Sequence, residues 1–253
     1  MRVAVYFIGQ PRYYKETFPG IYKNIIKQNN ADVFFHCWYD KKEAGEEIKN
    51  GGICYYKNRK KNYIMPQNLD KDIVELYKPK KYIIEPQKFL QIKNKKDIDC
   101  MSGLSMYYSI MKANDLVREY EIENNFRYDF VIKMRYDMYC DKPLILSKYH
   151  NNLINNPHIL HKERIPFHID DRIWFSNSEN MFKISRGYLE VEDYLDNEKY
   201  REEILNLGKK FYTHTYKNKT YFNNESYLFF QIYSKNLKLH KIFYYYELFG
   251  RML

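Results

Sequence analysis

The sequence predicts an α/β protein in which helices flank a central, mostly parallel sheet within a single domain. Apolar runs of strand length alternate with segments of helical spacing, which is typical of sheets built with crossover helices. The 253 residues are enough for one large domain. Neither a repeat at solenoid spacing nor a Pro-rich or Gly-Ser linker divides the chain, so one compact unit is the simplest partition.

The first three elements establish this alternation. Arg2 to Ile8 is a β-branched and aromatic run that ends at Gly9, as expected of a buried strand stopped by a loop. Tyr14 to Lys27 has helical spacing, and Pro19 is expected to restart the helix within it. Asp32 to Trp38 is a second buried strand, so the order is strand, helix, strand.

The remaining elements continue the alternation less regularly. In chain order they are a helix over Asp70–Tyr77, a strand over Lys80–Pro86, a helix over Ser102–Asn125, a strand from Tyr128, loops and β-arms over Pro143–Pro166, a strand over Arg172–Asn177, and helices over Ser178–Asp196 and Asn224–Ser234. The closing segment, KIFYYYELF, favours a final strand or a packing tail, with a peripheral membrane contact as a further alternative.

Charge and composition narrow the class of partner. Forty-two Lys and Arg against 32 Asp and Glu give a formal charge of +10, so the surface field attracts anions such as nucleic acid, an anionic membrane or a phosphorylated substrate. The lysines are scattered singly apart from two short clusters, and no arginine-rich arm or nucleic-acid motif occurs. We therefore expect no nucleic-acid partner, although much of the lysine is equally explained as a solvated surface.

Cysteine usage and the N-terminal sequence bear on the compartment. The four cysteines are far apart and form no C-x-x-C pair, and the opening MRVAVYFIGQ is too short an apolar run for a signal peptide or a membrane span. A cytoplasmic location is expected, with peripheral contact at an anionic membrane as an extension of it.

Polar residues gather at the ends of three predicted strands. They are Gly9, Gln10, Pro11 and Arg12 after the first strand, His36, Trp38 and Asp40 at the second, and Arg135, Asp137 and Asp141 at the third. Because parallel strands end at the same edge of a sheet, these side chains are expected to lie together, where a phosphate-bearing ligand would bind.

The third strand end has two interpretations. A carboxylate such as Asp137 at the end of a buried strand can hold Mg²⁺ or Mn²⁺ and leave positions for diphosphate oxygens, with Arg135 and Arg12 sharing the same anion. Alternatively, Arg135 and Asp137 form an ordinary ion pair at a strand terminus. Spacing alone leaves both interpretations open.

Five blocks of the sequence stand out together: FIGQPR (Phe7–Arg12), ADVFFHCWYD (Ala31–Asp40), Ser105–Asp137, DDRIWFSNSENM (Asp170–Met181) and, more weakly, NNESYLFFQIY (Asn223–Tyr233). They resemble the blocks of small GT-A-type glycosyltransferases that build bacterial or viral surface polysaccharides. The resemblance implies a single GT-A-like domain over residues 1–253, with a nucleotide-sugar-binding half (1–140) and an acceptor-binding half (141–253). It implies transfer of a sugar from a nucleotide-diphosphate donor to a hydroxyl of a glycan or lipid-linked glycan.

The same resemblance implies a metal and a donor site. GT-A enzymes hold both with a D-x-D motif at a strand end, and the matching positions here are Arg135, Tyr136 and Asp137. Mg²⁺ or Mn²⁺ is therefore expected at Asp137, while Arg135 replaces the first acid and could itself neutralise phosphate charge. The loop with Gly9, Gln10 and Arg12 would lie against the nucleotide. Tyr108 and Lys112, one helical turn apart, would face the donor, although Tyr108 could instead pack in the core.

The resemblance also implies where the acids of the reaction lie. Asp170 and Asp171 precede a strand at positions where GT-A enzymes place acids that touch the donor sugar or the acceptor, and Glu225 is the acid of the last block. An inverting transfer needs a carboxylate base, for which Asp171 is the first choice, then Asp170, then Glu225. Each could instead cap a helix or pair with Arg172, and a retaining enzyme needs no such base.

Other chemistries have weaker sequence support. His158, His161 and His168 lack the compact spacing of zinc sites, and the phosphate-binding glycine motifs G-x-x-x-x-G-K-S/T and G-x-G-x-x-G are absent. Two alternatives to the glycosyltransferase stay open. One is a sugar nucleotidyltransferase, for which GQPRYYK is poor in glycine. The other is a non-catalytic module that binds anionic ligands.

Overall fold

The structure is a computed structural model that describes residues 1–46, 64–88, 101–158, 169–196, 199, 202, 224–244 and 247–248. Its strands are β1 (Val3–Gly9), β2 (Asp32–Trp38), β3 (Lys81–Glu85), β4 (Phe130–Arg135), β5 (Met138–Tyr139), β6 (Ile154–His158), β7 (Ile173–Ser176), β8 (Leu239–Phe243) and β9 (Glu247–Leu248). Its α-helices are α1 (Tyr14–Ile21), α2 (Leu69–Tyr77), α3 (Met101–Glu123), α4 (Ser178–Ser185), α5 (Gly187–Asp196) and α6 (Asn224–Ser234).

Seven of these strands form one sheet within the described part of the chain, in the order β3-β2-β1-β4-β7-β6-β8. The strands β3, β2, β1 and β4 are parallel to one another, and β6 is parallel to β8. Only β7, among these seven, runs antiparallel to both of its neighbours. The predicted α/β class with a mostly parallel sheet in a single domain is therefore confirmed, and β7 makes the sheet mixed.

Both faces of the sheet are buried because its central strands are apolar at nearly every position. Along β1, side chains alternate between two cores: Val5 and Phe7 pack on one face, and Ala4 and Tyr6 on the other. The first core is covered by α1 and α2, and the second by α3, α4, α5 and α6. This layering leaves the edges of the sheet, where the strands end, as the places open to a ligand.

Two predicted helix boundaries are wrong. The helix does not restart at Pro19: α1 includes Pro19 and continues as a π-helix over Tyr22–Lys27. The predicted helix over Ser178–Asp196 is divided at Arg186, where Gly187 begins α5. A Cβ at Gly187 would lie 3.2 Å from the Tyr107 ring, so the glycine allows α5 to start in close contact with α3.

Other elements match or extend the expectation. The closing segment contains strands, since β8 joins the main sheet and β9 pairs with β5, and Tyr244 between them is buried. The region expected to hold loops and β-arms contributes β6, while residues 159–168 lie outside the described residues and include His161 and His168. Among the described helices, none is both long and apolar enough to cross a membrane.

Candidate functional site

The candidate site lies at the carboxyl edge of the parallel strands. Strand β1 is bonded to β2 on one side and to β4 on the other, so the order of the parallel strands reverses there. In open α/β sheets, ligands bind outside the carboxyl ends of the strands at such a switch point. Arg135, the last residue of β4, is in register with Ile8 and therefore lies beside the end of β1.

Arg135 and Asp137 form a bidentate ion pair at this edge. The Nε and Nη2 of Arg135 donate to the two carboxylate oxygens of Asp137 at 2.8 and 2.6 Å. Tyr136 points to the opposite face of the sheet and stacks on Phe7. The Asp137 side chain is 9% exposed and that of Arg135 is 30% exposed. The buried carboxylate therefore fixes the guanidinium, and part of the Arg135 side chain stays accessible to solvent.

Electrostatics keep both members of this pair charged. Burial alone would raise the pKa of Asp137, but the Arg135 guanidinium, with a contribution from Arg12, lowers it below its ordinary value. Burial alone would lower the pKa of Arg135, but Asp137 raises it above its usual range. Arg12 therefore lies close enough to Asp137 to act on it, which places the loop after β1 and the end of β4 at one site.

A second ion pair of the same type lies just before the start of β7. The Nε of Arg172 donates to Asp170 Oδ1 at 2.7 Å and its Nη2 donates to Oδ2, while the Arg172 main-chain N–H also donates to Oδ1 at 2.9 Å. Asp170 is 1% exposed. Because β7 is antiparallel to β4, with Ile173 opposite Met134, the residues that precede β7 lie at the carboxyl edge of β4. Two guanidinium groups, each fixed by a carboxylate two residues away, thus share this edge.

Asp171 stands between Asp170 and Arg172 in the chain, and its side chain contacts a third element. Its side chain is partly buried, and its Oδ2 accepts a long hydrogen bond of 3.5 Å from Asn224 Nδ2 at the start of α6. The Tyr107 hydroxyl donates to the Asn224 carbonyl at 2.9 Å and so fixes this helix start on α3. Glu225 is the next residue of α6 and is partly buried. The structure therefore brings Asp170, Asp171 and the first turn of α6 to the site.

The loop after β1 exposes its backbone. Gly9 has φ +83°, which favours glycine, and a Cβ built there would have no atom within 4 Å, so space is open above it. The Gly9 N–H donates to Ser109 Oγ at 2.9 Å. Gln10 Nε2 donates to Gln87 Oε1 at 3.2 Å, which ties the loop to the chain after β3.

A buried chain of hydrogen bonds supports Gly9. His36 Nδ1 lies 2.8 Å from Ser109 Oγ, and its Nε2 lies 3.0 Å from Glu85 Oε1. Burial lowers the pKa of His36 to about 4, although Glu85 opposes the shift. The neutral ring therefore donates through Nε2 to Glu85 and accepts at Nδ1 from Ser109. These are the residue types of a hydrolase triad, but Ser109 is fully buried, so the chain positions the loop and does not present a nucleophile.

Tyr108 and Lys112 lie on the β2 and β3 side of the edge. Tyr108 stacks on Trp38 with ring centroids 5.5 Å apart, and its hydroxyl accepts from Lys88 at 3.2 Å. The Lys112 ammonium is 5.8 Å from the centroid of the Tyr108 ring. Tyr108 is thus part of an aromatic cluster at the end of β2, which agrees with its packing interpretation and still leaves it partly exposed.

The fit of this site to a divalent ion is poor in the observed arrangement. Both carboxylate oxygens of Asp137 accept from Arg135, so the guanidinium occupies the position that a cation on Asp137 would take. Within the described ranges, no three His, Cys, Asp or Glu side chains come together as a ligand set. A metal at Asp137 would require Arg135 to move away first.

A separate groove of about 720 Å³ lies beside α2 and β3. Tyr39, Asp70, Glu75 and Tyr82 are among the residues that line it. Asp40, which the sequence predicted for the same edge of the sheet as Arg135, lines this groove as well. The paired arginines and Asp171 do not line it, and they define the candidate site.

Sequence reasoning missed two residues of the site. Asn224 was overlooked beside Glu225, and nothing in its local sequence distinguishes it. Lys133 is fully buried in β4, and its Nζ donates to the main-chain carbonyl of Asp171. A signal for Lys133 was present, because a lysine inside the apolar run FVIKMR is unusual for a buried strand.

The fold and the site define an α/β protein with a mostly parallel sheet and an arginine-rich, carboxylate-supported site at its switch point. A family model described as Domain of unknown function (DUF7796) matches residues 1–201, and the chain belongs to this family. No curated protein matches the chain.

Proposed function

We propose that the protein is a GT-A-type glycosyltransferase that transfers a sugar from a nucleotide-diphosphate donor to a hydroxyl of a glycan or lipid-linked glycan. The observation that carries the proposal is the pair of guanidinium groups, Arg135 and Arg172, each bound to both oxygens of a buried carboxylate at the carboxyl edge of the sheet. A guanidinium fixed in this way loses little further freedom on binding phosphate, and it matches phosphate geometry with paired donors.

The donor half of the proposal is residues 1–140. The diphosphate would lie over Gly9, where the backbone is open, with Arg12 and Arg135 as its counter-charges. Gln10 and the Tyr108 cluster continue the same edge toward β3, and that is where the nucleoside would extend. The positive net charge of +10 favours the approach of such an anionic donor.

The acceptor half is residues 141–253, and Asp171 is its reacting group. In an inverting transfer, the Asp171 carboxylate takes the proton of the acceptor hydroxyl as the oxygen attacks the anomeric carbon. The bond from that carbon to the diphosphate oxygen breaks, and its electron pair leaves with the nucleoside diphosphate. Arg135 and Arg172 stabilise the charge that develops on the leaving group. Asp170 holds Arg172 in this scheme, and Glu225 stays a candidate for contact with the acceptor.

No step of this scheme passes through a metal ion. Mg²⁺ or Mn²⁺ at Asp137 remains the expectation from the D-x-D resemblance, and if bound it would neutralise diphosphate charge. Because Arg135 already occupies both oxygens of Asp137, we propose that the guanidinium supplies this charge instead.

The test is binding and turnover of a panel of nucleotide sugars. We expect a UDP- or GDP-sugar to bind by calorimetry and to release its nucleoside diphosphate slowly in the absence of acceptor. Asp137→Asn should lower turnover by about 100-fold, because Arg135 loses its fixed position. Asp129→Asn, which changes an exposed carboxylate just before the amino end of β4, away from the site, is the matched control and should leave turnover unchanged. Pyrophosphate exchange without release of nucleoside diphosphate would replace the proposal with a nucleotidyltransferase, and no binding by any member of the panel would remove it.

A further inference from the structure

Lys133 is a lysine with no exposed surface in the middle of β4. Its ammonium lies 4.1 Å from the centroid of the Trp174 ring on the neighbouring strand β7. Its Nζ donates to the main-chain carbonyl of Asp171 and, at 3.4 Å, to that of Arg172. Burying an ammonium group is costly, and an apolar side chain would fill the same strand position at lower cost. The residue therefore needs a reason beyond packing.

The carbonyls that Lys133 contacts belong to the turn of Asp170, Asp171 and Arg172, which we call the Asp170–Arg172 turn. Asn156 binds the start of this turn, since its Nδ2 donates to the Asp170 carbonyl and its Oδ1 accepts from the Asp170 N–H, both at 2.9 Å. Lys133 binds the two carbonyls that follow. Buried side chains thus hold the main chain on both sides of the Asp171 Cα, which fixes the direction in which its carboxylate leaves the turn.

We propose that Lys133 is a positioning residue, whose ammonium fixes the Asp170–Arg172 turn and thereby holds the Asp171 carboxylate where an acceptor hydroxyl reacts. The proposal rests on the proposed function in its second part, because Asp171 is the base only if the protein is a glycosyltransferase. Its first part, the hold on the turn, is independent of the reaction.

The surroundings of Lys133 make this hold depend on pH. Burial lowers the pKa of Lys133 to about 7, and Asp171, Asp170 and Asp137 oppose the shift while Arg135 adds to it. The strands on either side present Tyr6 and Trp174 to it, and burial raises the pKa of the Tyr6 hydroxyl, which stays neutral. Below about pH 7 the ammonium is charged, and its bonds to the carbonyls and the ring are charge-assisted. Above that pH it becomes a neutral amine that holds the turn less firmly.

The decisive variant is Lys133→Met, which keeps the length of the side chain and removes the donor. We expect the Kd for the nucleoside diphosphate that binds wild type to change by less than about twofold, while kcat for transfer to the acceptor falls by about 100-fold, the effect of a small displacement of a reacting group. Wild-type kcat should also decline as pH rises through about 7, and this decline should be absent in the variant. Lys81→Met is the matched control, since it removes a strand lysine that pairs with Glu119 and Glu123 on α3, outside the site.

A purely structural role would give a different result. Unchanged kcat in a folded Lys133→Met protein, equal loss of nucleotide affinity and kcat, or persistence of the alkaline decline in the variant would each overturn the proposal.

Hydrogen exchange on the wild-type protein tests the hold on the Asp170–Arg172 turn independently of the proposed function. It requires no variant to fold. In wild type, the protection of the amides of residues 170–173 from exchange, corrected for intrinsic rates, should fall between pH 6 and pH 9. The reason is that the Lys133 ammonium loses its proton at about pH 7. Constant protection over this range would refute the hold on the turn. Falling protection in a protein that binds no nucleoside diphosphate would instead leave the hold intact and remove the glycosyltransferase.

Discussion

Replacing Arg135 with aspartate is expected to create a Mn²⁺ site where, in the proposed scheme, the Arg135 guanidinium supplies the positive charge. The variant would carry the sequence D-Y-D at positions 135–137, so that two carboxylates replace the bidentate pair in which the Arg135 guanidinium covers both oxygens of Asp137 at 2.6 and 2.8 Å. Carboxylate oxygens are the ligands that Mn²⁺ and Mg²⁺ prefer in proteins. The cation that the chain supplies in wild type would then have to come from solution.

The size of the effect follows from the burial of the pair. Losing one partner of a buried ion pair costs about 3–5 kcal/mol, and because Arg135 is 30% exposed we expect a smaller cost than that range, about 2–3 kcal/mol. An ion present at about one hundred times its Kd raises the free energy of unfolding by about 2.7 kcal/mol. For a chain of this size, this corresponds to a rise of about 5–11 °C in the unfolding midpoint. Most of the lost stability should therefore return with Mn²⁺.

The assay is thermal unfolding of wild type and Arg135→Asp, each in EDTA and in saturating Mn²⁺. Wild type should unfold at the same temperature in both conditions, and only the variant should respond to the ion. Arg135→Gln is the control, since it removes the same guanidinium without adding a carboxylate and should stay insensitive. A rise of similar size in wild type would refute the reasoning, because it would show that an ion displaces Arg135 from Asp137. Manganese electron paramagnetic resonance would count the bound ions directly.

Three further predictions concern the reaction and stability. Asp171→Asn should leave nucleoside diphosphate binding unchanged by calorimetry and lower transfer by about 10²–10⁴-fold; unimpaired transfer would remove it as the base. Gly20→Ala should destabilise by about 1–3 kcal/mol in urea, because the new Cβ would lie 2.6 Å from the Cys140 carbonyl oxygen. Lys23→Ala, an exposed change on the next turn, is its control. Lys133 has its pKa lowered to about 7 in the folded state. Global unfolding exposes this side chain, whereas opening of the Asp170–Arg172 turn leaves it buried, so the two equilibria respond to pH in opposite directions. For global unfolding, the burial penalty of Lys133 is full below about pH 7 and fades as pH rises toward the unfolded value near 10.5. Wild type should therefore gain up to about 1.4 kcal/mol per pH unit relative to Lys133→Met across this window, and parallel stability curves would contradict the shift.

Local sequence patterns were sufficient for most of the elements. Strands such as Asp32–Trp38 are apolar at nearly every position, and a strand buried on both faces has this pattern whatever its neighbours. Helix interruptions were harder to place, because they depend on tertiary contact. Gly20 packs against the chain at Cys140 and Gly187 packs on Tyr107, and neither partner is near in sequence.

The candidate site was only partly predictable, because strand ends can be identified locally whereas contacts between distant residues cannot. Glycine and charged residues after apolar runs indicated Gly9, Arg135 and Asp137, since strand ends can be identified locally. The bidentate pairing of Arg135 with Asp137 depends on side-chain geometry, which the spacing of the two residues does not give. The contact between Asn224 and Asp171 joins residues more than fifty positions apart, and no local pattern carries it.

The direction of β7 decides whether the two halves of the site meet. In a wholly parallel sheet, Asp170 and Asp171, which precede their strand, would lie at the amino edge, far from Arg135 at the carboxyl edge. The antiparallel pairing of Met134 with Ile173 reverses this and brings the Asp170–Arg172 turn beside the end of β4. It also places Lys133 opposite Trp174, so that one buried ammonium lies beneath the turn that presents Asp171. The reversal of β7 is therefore what would let the proposed base, from the second half of the chain, face the proposed phosphate site from the first.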